Sequence, residues 1–246
     1  MSMDAYYTAM AGLQAIGAKM DALSANLANV QTTGYQAVQA MTEAAPYTGG
    51  SAPAGADVVA LTPGPETQPG SLIKTGNPLN VGLGGDAWLV VQTPRGLALT
   101  RNGALQLSTD GLLTDSSGNP VLGANGAPVS LPALSSMTIG SDGTISGISP
   151  SQPGQTQSYG QLFLVATPPG TLTALGGALY APPDPNRLQP ATKGSLAQGY
   201  LNGSNVDAVQ GMVDLIDANR SYQLQTQLMK TYSDNSTALN TLLAQG

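Results

Sequence analysis

The sequence predicts an α+β protein with a long helix near each end of the chain and a central all-β domain. Three observations predict it. A heptad seam runs through residues 3–30. Residues 71–200 fall into short apolar runs cut by Gly, Asn and Asp. Residues 204–244 return to helical spacing with apolar side chains on every side.

The N-terminal helix comes first. Tyr6, Ala9, Leu13, Ile16, Met20, Leu23, Leu27 and Val30 follow one another at spacings of three and four. Such a seam belongs to a helix that packs lengthwise against other helices. At 1.5 Å per residue it spans roughly 42 Å. The stretch SANLANVQTTGYQA (24–37) then places Asn26 beside the seam and Asn29 well round from it. These amides are available to groups outside a helix pair, in neighbouring copies or in the chain's own returning linker. Thr32-Thr33-Gly34 ends the helix, with Gly34 suited to a positive φ and Tyr35 free to anchor the exit.

Residues 43–70 are rich in Pro, Gly and Ala, and 37–70 reads as an extended linker with one short strand at Val58–Leu61. Strand signals follow. Leu79, Val81 and Leu83 alternate, and AWLVVQT (87–93) reads as a strand buried on both faces. Asn102-Gly103, Asp110-Gly111 and Asp142-Gly143 are dipeptides of tight hairpins. QLFLVAT (161–167) gives a further strand.

The C-terminal helix opens at SNVD, where Ser204 is placed to cap and Asp207 to meet the helix dipole. Its apolar residues cover nearly the whole circumference, so it must be buried on all sides. A small β-domain tethered at one end cannot wrap it. The N-terminal helix covers one face and other copies of the chain cover the rest. Such ends are poorly satisfied in a monomer and order on assembly. The chain reads as a polymer subunit, in regions 1–36 (assembly helix), 37–70 (linker), 71–200 (β-domain) and 201–246 (assembly helix).

Composition narrows the function. Charged residues make up 9% of the 246, and the net charge is −6. Nucleic-acid recognition needs a basic stripe, which the eight scattered Lys and Arg do not supply. With no Cys and no His, disulfides, thiolate chemistry, zinc sites built on those ligands and any His base are excluded. No apolar run reaches a bilayer-spanning length, and the N-terminus lacks the basic region of a cleavable Sec signal. GLGGDA (82–87) reads as a turn rather than a dinucleotide fingerprint, and DSSGN (115–119) as a β-turn rather than a calcium loop. Asp214 and Asp217 read as a helix edge, with Arg220 placed to pair with Asp217. No catalytic residue, cofactor, metal ligand or small-molecule substrate is expected.

SANLANVQTTGYQA resembles the N-terminal signature of flagellar rod and hook proteins, with Ser24, Asn26, Leu27, Ala28, Asn29, Thr32, Gly34, Tyr35 and Ala37 filling the pattern. LNGSNVDAVQGMVDLIDANRSYQLQ (201–225) resembles that family's C-terminal signature through Ser204, Asn205, Val206, Met212, Val213, Ile216, Arg220 and Tyr222. Asn202, Asn219 and Gln36 depart from the usual pattern. The opening YTAMAG and the middle 75–113 look most like the proximal-rod type. The resemblance implies a subunit of the periplasm-spanning drive shaft, exported without a cleaved signal by the flagellar type III apparatus. Its partners are copies of itself and other rod proteins. It also implies that the terminal helices pair as a coiled coil. The assembly interface then comprises Leu13, Ile16, Met20, Leu23, Asn26, Leu27, Asn29, Val30, Gly34 and Tyr35 at one end. At the other it comprises Ser204, Asn205, Val206, Met212, Val213, Ile216, Arg220 and Tyr222. Two alternatives stand beside this: a distal-rod or hook-type subunit, and an extracellular glycan-binding module. Aromatics at 4% give the latter no sugar-stacking platform.

Overall fold

The computed structural model describes residues 3–46, 56–66, 68–152, 154–167, 170–192 and 194–243. They form two compact units. One gathers Met1–Leu27, Val38–Pro63 and Asp207–Gly246; the other gathers Ala28–Ala37 and Gly64–Val206.

In the first unit, helix α1 spans Met3–Ala28. The seam carries on to Val30 in sequence, but the helix stops two residues earlier and Val30 lies in a turn. Its most buried positions are Ala11, Ala22 and Asn26, while Leu13, Ile16, Met20, Leu23 and Leu27 are half-buried. Small side chains allow the closest approach of backbone, so the alanine line is buried deepest and the large seam residues keep part of their surface. Strands β1 (Val38–Pro46) and β2 (Ala56–Pro65) pair as a two-stranded sheet where a linker with one short strand was expected. The β-branched run DVVALT favours pleated structure, and Pro46 and Pro65 stand at strand ends, where a missing N–H costs least.

Among the described residues, the second unit holds fifteen strands. β3 is Leu72–Lys74, β4 Val81–Gly84, β5 Ala87–Thr93, β6 Gly96–Thr100, β7 Gln106–Leu107, β8 Leu113–Thr114, β9 Ser136–Ile139 and β10 Thr144–Ile148. β11 is Thr156–Gln161, β12 Leu164–Ala166, β13 Thr173–Gly176, β14 Leu179–Ala181, β15 Gln189–Pro190, β16 Ser195–Gln198 and β17 Tyr200–Asn202. The principal sheet runs β13-β14-β6-β5-β12-β15, its pairs antiparallel. A second sheet runs β11-β10-β9, and β16-β4, β17-β3 and β7-β8 pair in twos.

β5 lies at the centre and is buried on both faces, as its unbroken apolar run requires. Ala87, Leu89 and Val91 point into the larger core with Val81, Leu83, Leu113 and Ile145. Trp88 and Val90 point the other way, against Leu99, Leu122, Val165, Leu172 and Tyr180. The Asp110-Gly111 and Asp142-Gly143 turns close the β7–β8 and β9–β10 hairpins, both glycines at positive φ. Asn102-Gly103 does not close a hairpin. There β6 continues into an isolated bridge between Asn80 and Ala104. Gly103 is needed for another reason: its carbonyl accepts the Val81 N–H at 2.9 Å, and a β-carbon on it would overlap the Val81 carbonyl oxygen.

Helix α2 (Ala208–Leu243) returns the chain to the first unit. Its cap is Asp207, whose Oδ1 accepts the N–H groups of Val209 and Gln210 at 2.9 and 3.1 Å. Ser204, the expected cap, lies too early and instead accepts the Val206 N–H at 3.2 Å. A carboxylate placed directly before the first turn satisfies two orphan donors and meets the helix dipole, which outweighs a hydroxyl three residues upstream.

Gly103→Ala is expected to destabilise the β-unit by about 2 kcal/mol or more, because backbone and not a flexible side chain must move. Urea unfolding of the variant beside the parent measures this.

Candidate functional site: a strap held by side chains and an exposed apolar helix

Residues 28–37 belong to the β-unit, not to the helix that precedes them. They begin with a turn. The Thr32 N–H donates to the Asn29 carbonyl and its hydroxyl to Asn29 Oδ1, both at 3.0 Å, and the Tyr35 N–H donates to the Thr32 carbonyl at 3.2 Å. Gly34 has φ 70°. A β-carbon there would overlap the Arg101–Asn102 peptide, so glycine is required twice over.

From Gly34 the strap lies extended on the β-unit with no regular ladder. The Gly34 N–H donates to the Asn202 carbonyl at 2.8 Å. The Gln36 N–H donates to Tyr180 Oη at 2.8 Å, and the same hydroxyl donates to the Gln36 carbonyl at 2.9 Å. The Ala37 N–H donates to Asn205 Oδ1 at 2.6 Å, and Asn205 Nδ2 donates onward to the Gln68 carbonyl at 2.9 Å. The Ala37 carbonyl accepts from Glu66 N–H at 2.7 Å. Tyr35, Gln36 and Ala37 are all buried.

Beneath the strap, Tyr180 meets Trp88 edge-on with ring centroids 5.2 Å apart. The Arg101 guanidinium lies 4.9 Å from the Trp88 ring centroid and donates through Nη2 to the Gly85 carbonyl at 2.6 Å. Arg101 Nε and Nη1 and Gln36 Oε1 are buried without a hydrogen-bond partner among the described residues. Burial pushes the Arg101 pKa down to about 10, partly offset by Asp86, and the group stays charged at neutral pH. Burial raises the Tyr180 phenol well above its ordinary range, so it keeps the proton it donates to Gln36. Tyr35 is shifted upward by the same cause.

Two other asparagines imitate a peptide unit. Asn202 accepts the Leu83 N–H at 2.6 Å and donates to the Leu83 carbonyl at 2.9 Å. In the first unit Asn26 does the same to Val38, at 2.8 and 2.9 Å. Of the two partners open to Asn26 in the sequence, the chain's own returning segment is the one it meets here.

The remaining expected residues divide by surface. Ser204, Asn205 and Val206 are half-buried in the β-unit. Met212 (46% exposed), Val213 (48%), Ile216 (54%) and Tyr222 (42%) face solvent on α2, as do Val209 (70%), Leu224 (67%), Leu228 (55%) and Tyr232 (52%). Arg220 is exposed and makes no ion pair with Asp217. Instead Asp214 accepts from Gln210 Nε2 at 2.8 Å, and the Asp217 carbonyl accepts the Ser221 hydroxyl at 2.8 Å. Sequence reasoning did not single out Tyr180, the buried state of Arg101, or Gln36 and Asn202 as contact residues. Three or more potential metal ligands do not gather anywhere among the described residues.

A β-domain with its strap tied down, and a long helix that shows solvent its apolar residues, have the make-up of a structural subunit. Residues 7–36 match the family described as flagella basal body rod protein. Residues 82–147 match the flagellar hook protein FlgE/F/G D1 domain, and residues 197–242 the flagellar basal body rod FlgEFG protein C-terminal family. The chain is 35% identical to the flagellar basal-body rod protein FlgF of Escherichia coli (strain K12), over 98% of each chain. It is 34% identical to FlgF of Salmonella typhimurium, again over 98% of each. It is 29% identical to the rod protein FlgG of Bacillus subtilis, over 92% of this chain and 93% of that one. The chain belongs to the flagellar basal-body rod proteins, and within them to the FlgF type. These relatives lend the glycan-binding alternative no support.

Tyr180→Phe leaves the Gln36 N–H and carbonyl buried without partners and is expected to cost about 1–3 kcal/mol. Asn205→Ala, which strands the Ala37 N–H, is expected to cost a similar amount. Thermal unfolding of both variants tests this; midpoints equal to the parent's would contradict the role given to these side chains.

Proposed function

We propose that the chain is a proximal-rod subunit that joins the growing rod through its terminal helices and transmits torque through the contacts they make. It is a structural rod subunit of the flagellar basal body and not an enzyme, as its relatives are. The finer reading is carried by the surface of α2. Met212, Ile216, Leu224, Leu228 and Tyr232 fall on a single i+4 row, interrupted only by Arg220. Such a row makes a ridge that seats in the groove of another helix. Fully burying one Leu, Ile or Met side chain contributes about 1.5–3 kcal/mol, so covering the row yields a large driving force.

α1 offers a matching surface. Its half-buried seam of Leu13, Ile16, Met20, Leu23 and Leu27 has the spacing of a coiled coil. A β-carbon at Gly12 would lie 3.6 Å from Gln225 Nε2, which supports a pairing of the two helices along this stretch. Neighbouring copies and other rod proteins then cover what remains. Val30, Asn29, Gly34 and Tyr35 shape the exit from the helix, and Arg220 and Tyr222 complete the interface on α2. The scarcity of charge keeps the desolvation cost of such contacts small. Export through the flagellar type III apparatus without a cleaved signal fits the absence of Cys and belongs to the same proposal.

Ile216→Asp tests the reading. The side chain is exposed, so monomer stability should change by no more than about 0.5 kcal/mol. Incorporation into detergent-resistant hook–basal-body particles should be lost, and swimming with it. Normal incorporation would contradict the helix-packing account.

A further inference from the structure

We propose that residues 28–37 are a releasable strap, which undocks from the β-unit as one piece while the sheet beneath stays folded. The proposal rests on the fold of the β-unit and not on the rod assignment, so each can fail without the other.

Three features support it. First, the strap has no ladder. The sheet under it is held by continuous antiparallel pairing, Leu89–Thr93 against Gly96–Thr100 on one side and Ala87–Leu89 against Leu164–Ala166 on the other. The strap is held by isolated bonds: Gly34 N–H to the Asn202 carbonyl, Asn205 N–H to the Tyr35 carbonyl and Glu66 N–H to the Ala37 carbonyl between backbone groups, and the rest through a few side chains. Both backbone groups of Gln36 rest on one hydroxyl, that of Tyr180, and the Ala37 N–H rests on the Asn205 carboxamide. When Tyr180 or Asn205 lets go, more than one bond opens together, which makes the opening cooperative.

Second, the docked state carries an uncompensated polar cost. Gln36 Oε1 is wholly buried with no donor among the described residues. Water satisfies it on release, which offsets part of what undocking loses. Arg101, whose backbone peptide Gly34 covers, holds two more unpartnered donors. Third, the strap is ten residues long, and ordering it costs conformational entropy that release recovers. The sheet core, whose burial is apolar on both faces, gains nothing comparable by opening. Local opening therefore lies below global unfolding.

Docked, the strap fixes where the chain leaves the β-unit. Released, the same residues become a loop whose two ends both stay in the first unit, where the Asn26 carboxamide holds Val38.

Native-state hydrogen exchange on the full chain tests the proposal. The amides of Gly34, Gln36 and Ala37 should exchange about 100-fold faster than those of β5, with little dependence on urea, although both are buried. Gln36→Leu removes the unpartnered oxygen and should slow strap exchange about tenfold while leaving β5 unchanged. Tyr180→Phe should speed it about tenfold or more. Strap amides that exchange at the β5 rate with the same urea slope would overturn the proposal. So would a Gln36→Leu variant whose strap exchanges faster than the parent's. If Tyr180→Phe does not fold, the parent and Gln36→Leu data decide alone.

Discussion

The peptide groups of Gly34–Ala37 must be buried, and no neighbouring strand takes them into a ladder. That constraint organises the centre of the molecule. A buried N–H or carbonyl without a partner costs more than a typical hydrogen bond contributes, so each must be met individually. Asn202 supplies a backbone carbonyl, Tyr180 a hydroxyl that both donates and accepts, and Asn205 a carboxamide. Tyr180 in turn needs its ring held. Trp88 holds it edge-on, and Arg101 stacks on Trp88. A chain of contacts thus runs from the strap into the face of the central sheet.

The same economy recurs at Asn26 and Asn202, where one carboxamide serves both backbone groups of one residue. A side-chain amide has the donor and acceptor of a peptide without the need for a whole strand. At Asn26 it serves the first residue of β1, and at Asn202 a residue inside β4. The exposed face of α2 is the opposite case. Its apolar residues are exposed in the isolated chain, and they are the surface on which the proposed helix contacts rest.

The helices and most strands were legible because periodicity reports them directly. The seam gave α1 to within two residues, and AWLVVQT announced a strand buried on both faces. The hairpins at Asp110-Gly111 and Asp142-Gly143 followed from turn chemistry, whereas Asn102-Gly103 carried the same signal for a different cause, the close approach of the Val81 carbonyl. The cap of α2 was misplaced because Ser204 and Asp207 both suit a helix start, and only the backbone path chooses between them. The paired strands β1 and β2 were hidden by their Pro, Gly and Ala content. The amides of 24–37 stood out as unusual in a helix, but their partners did not. Tyr180 lies 144 residues from Gln36, and no local pattern marks a tyrosine as the acceptor for a distant backbone. Arg101 carried no local signal, since burial of a guanidinium on an indole depends wholly on tertiary packing.

The central claim is that the strap is part of the β-unit and not a connection to it. The most direct measurement is urea unfolding of a chain lacking residues 1–37, followed by the fluorescence of Trp88, the single tryptophan, which reports from beside Tyr180. The account predicts a cooperative transition whose midpoint is lower than the full chain's by about 1 M urea or more. An unchanged midpoint would show that the β-unit is complete without the strap and would contradict the account.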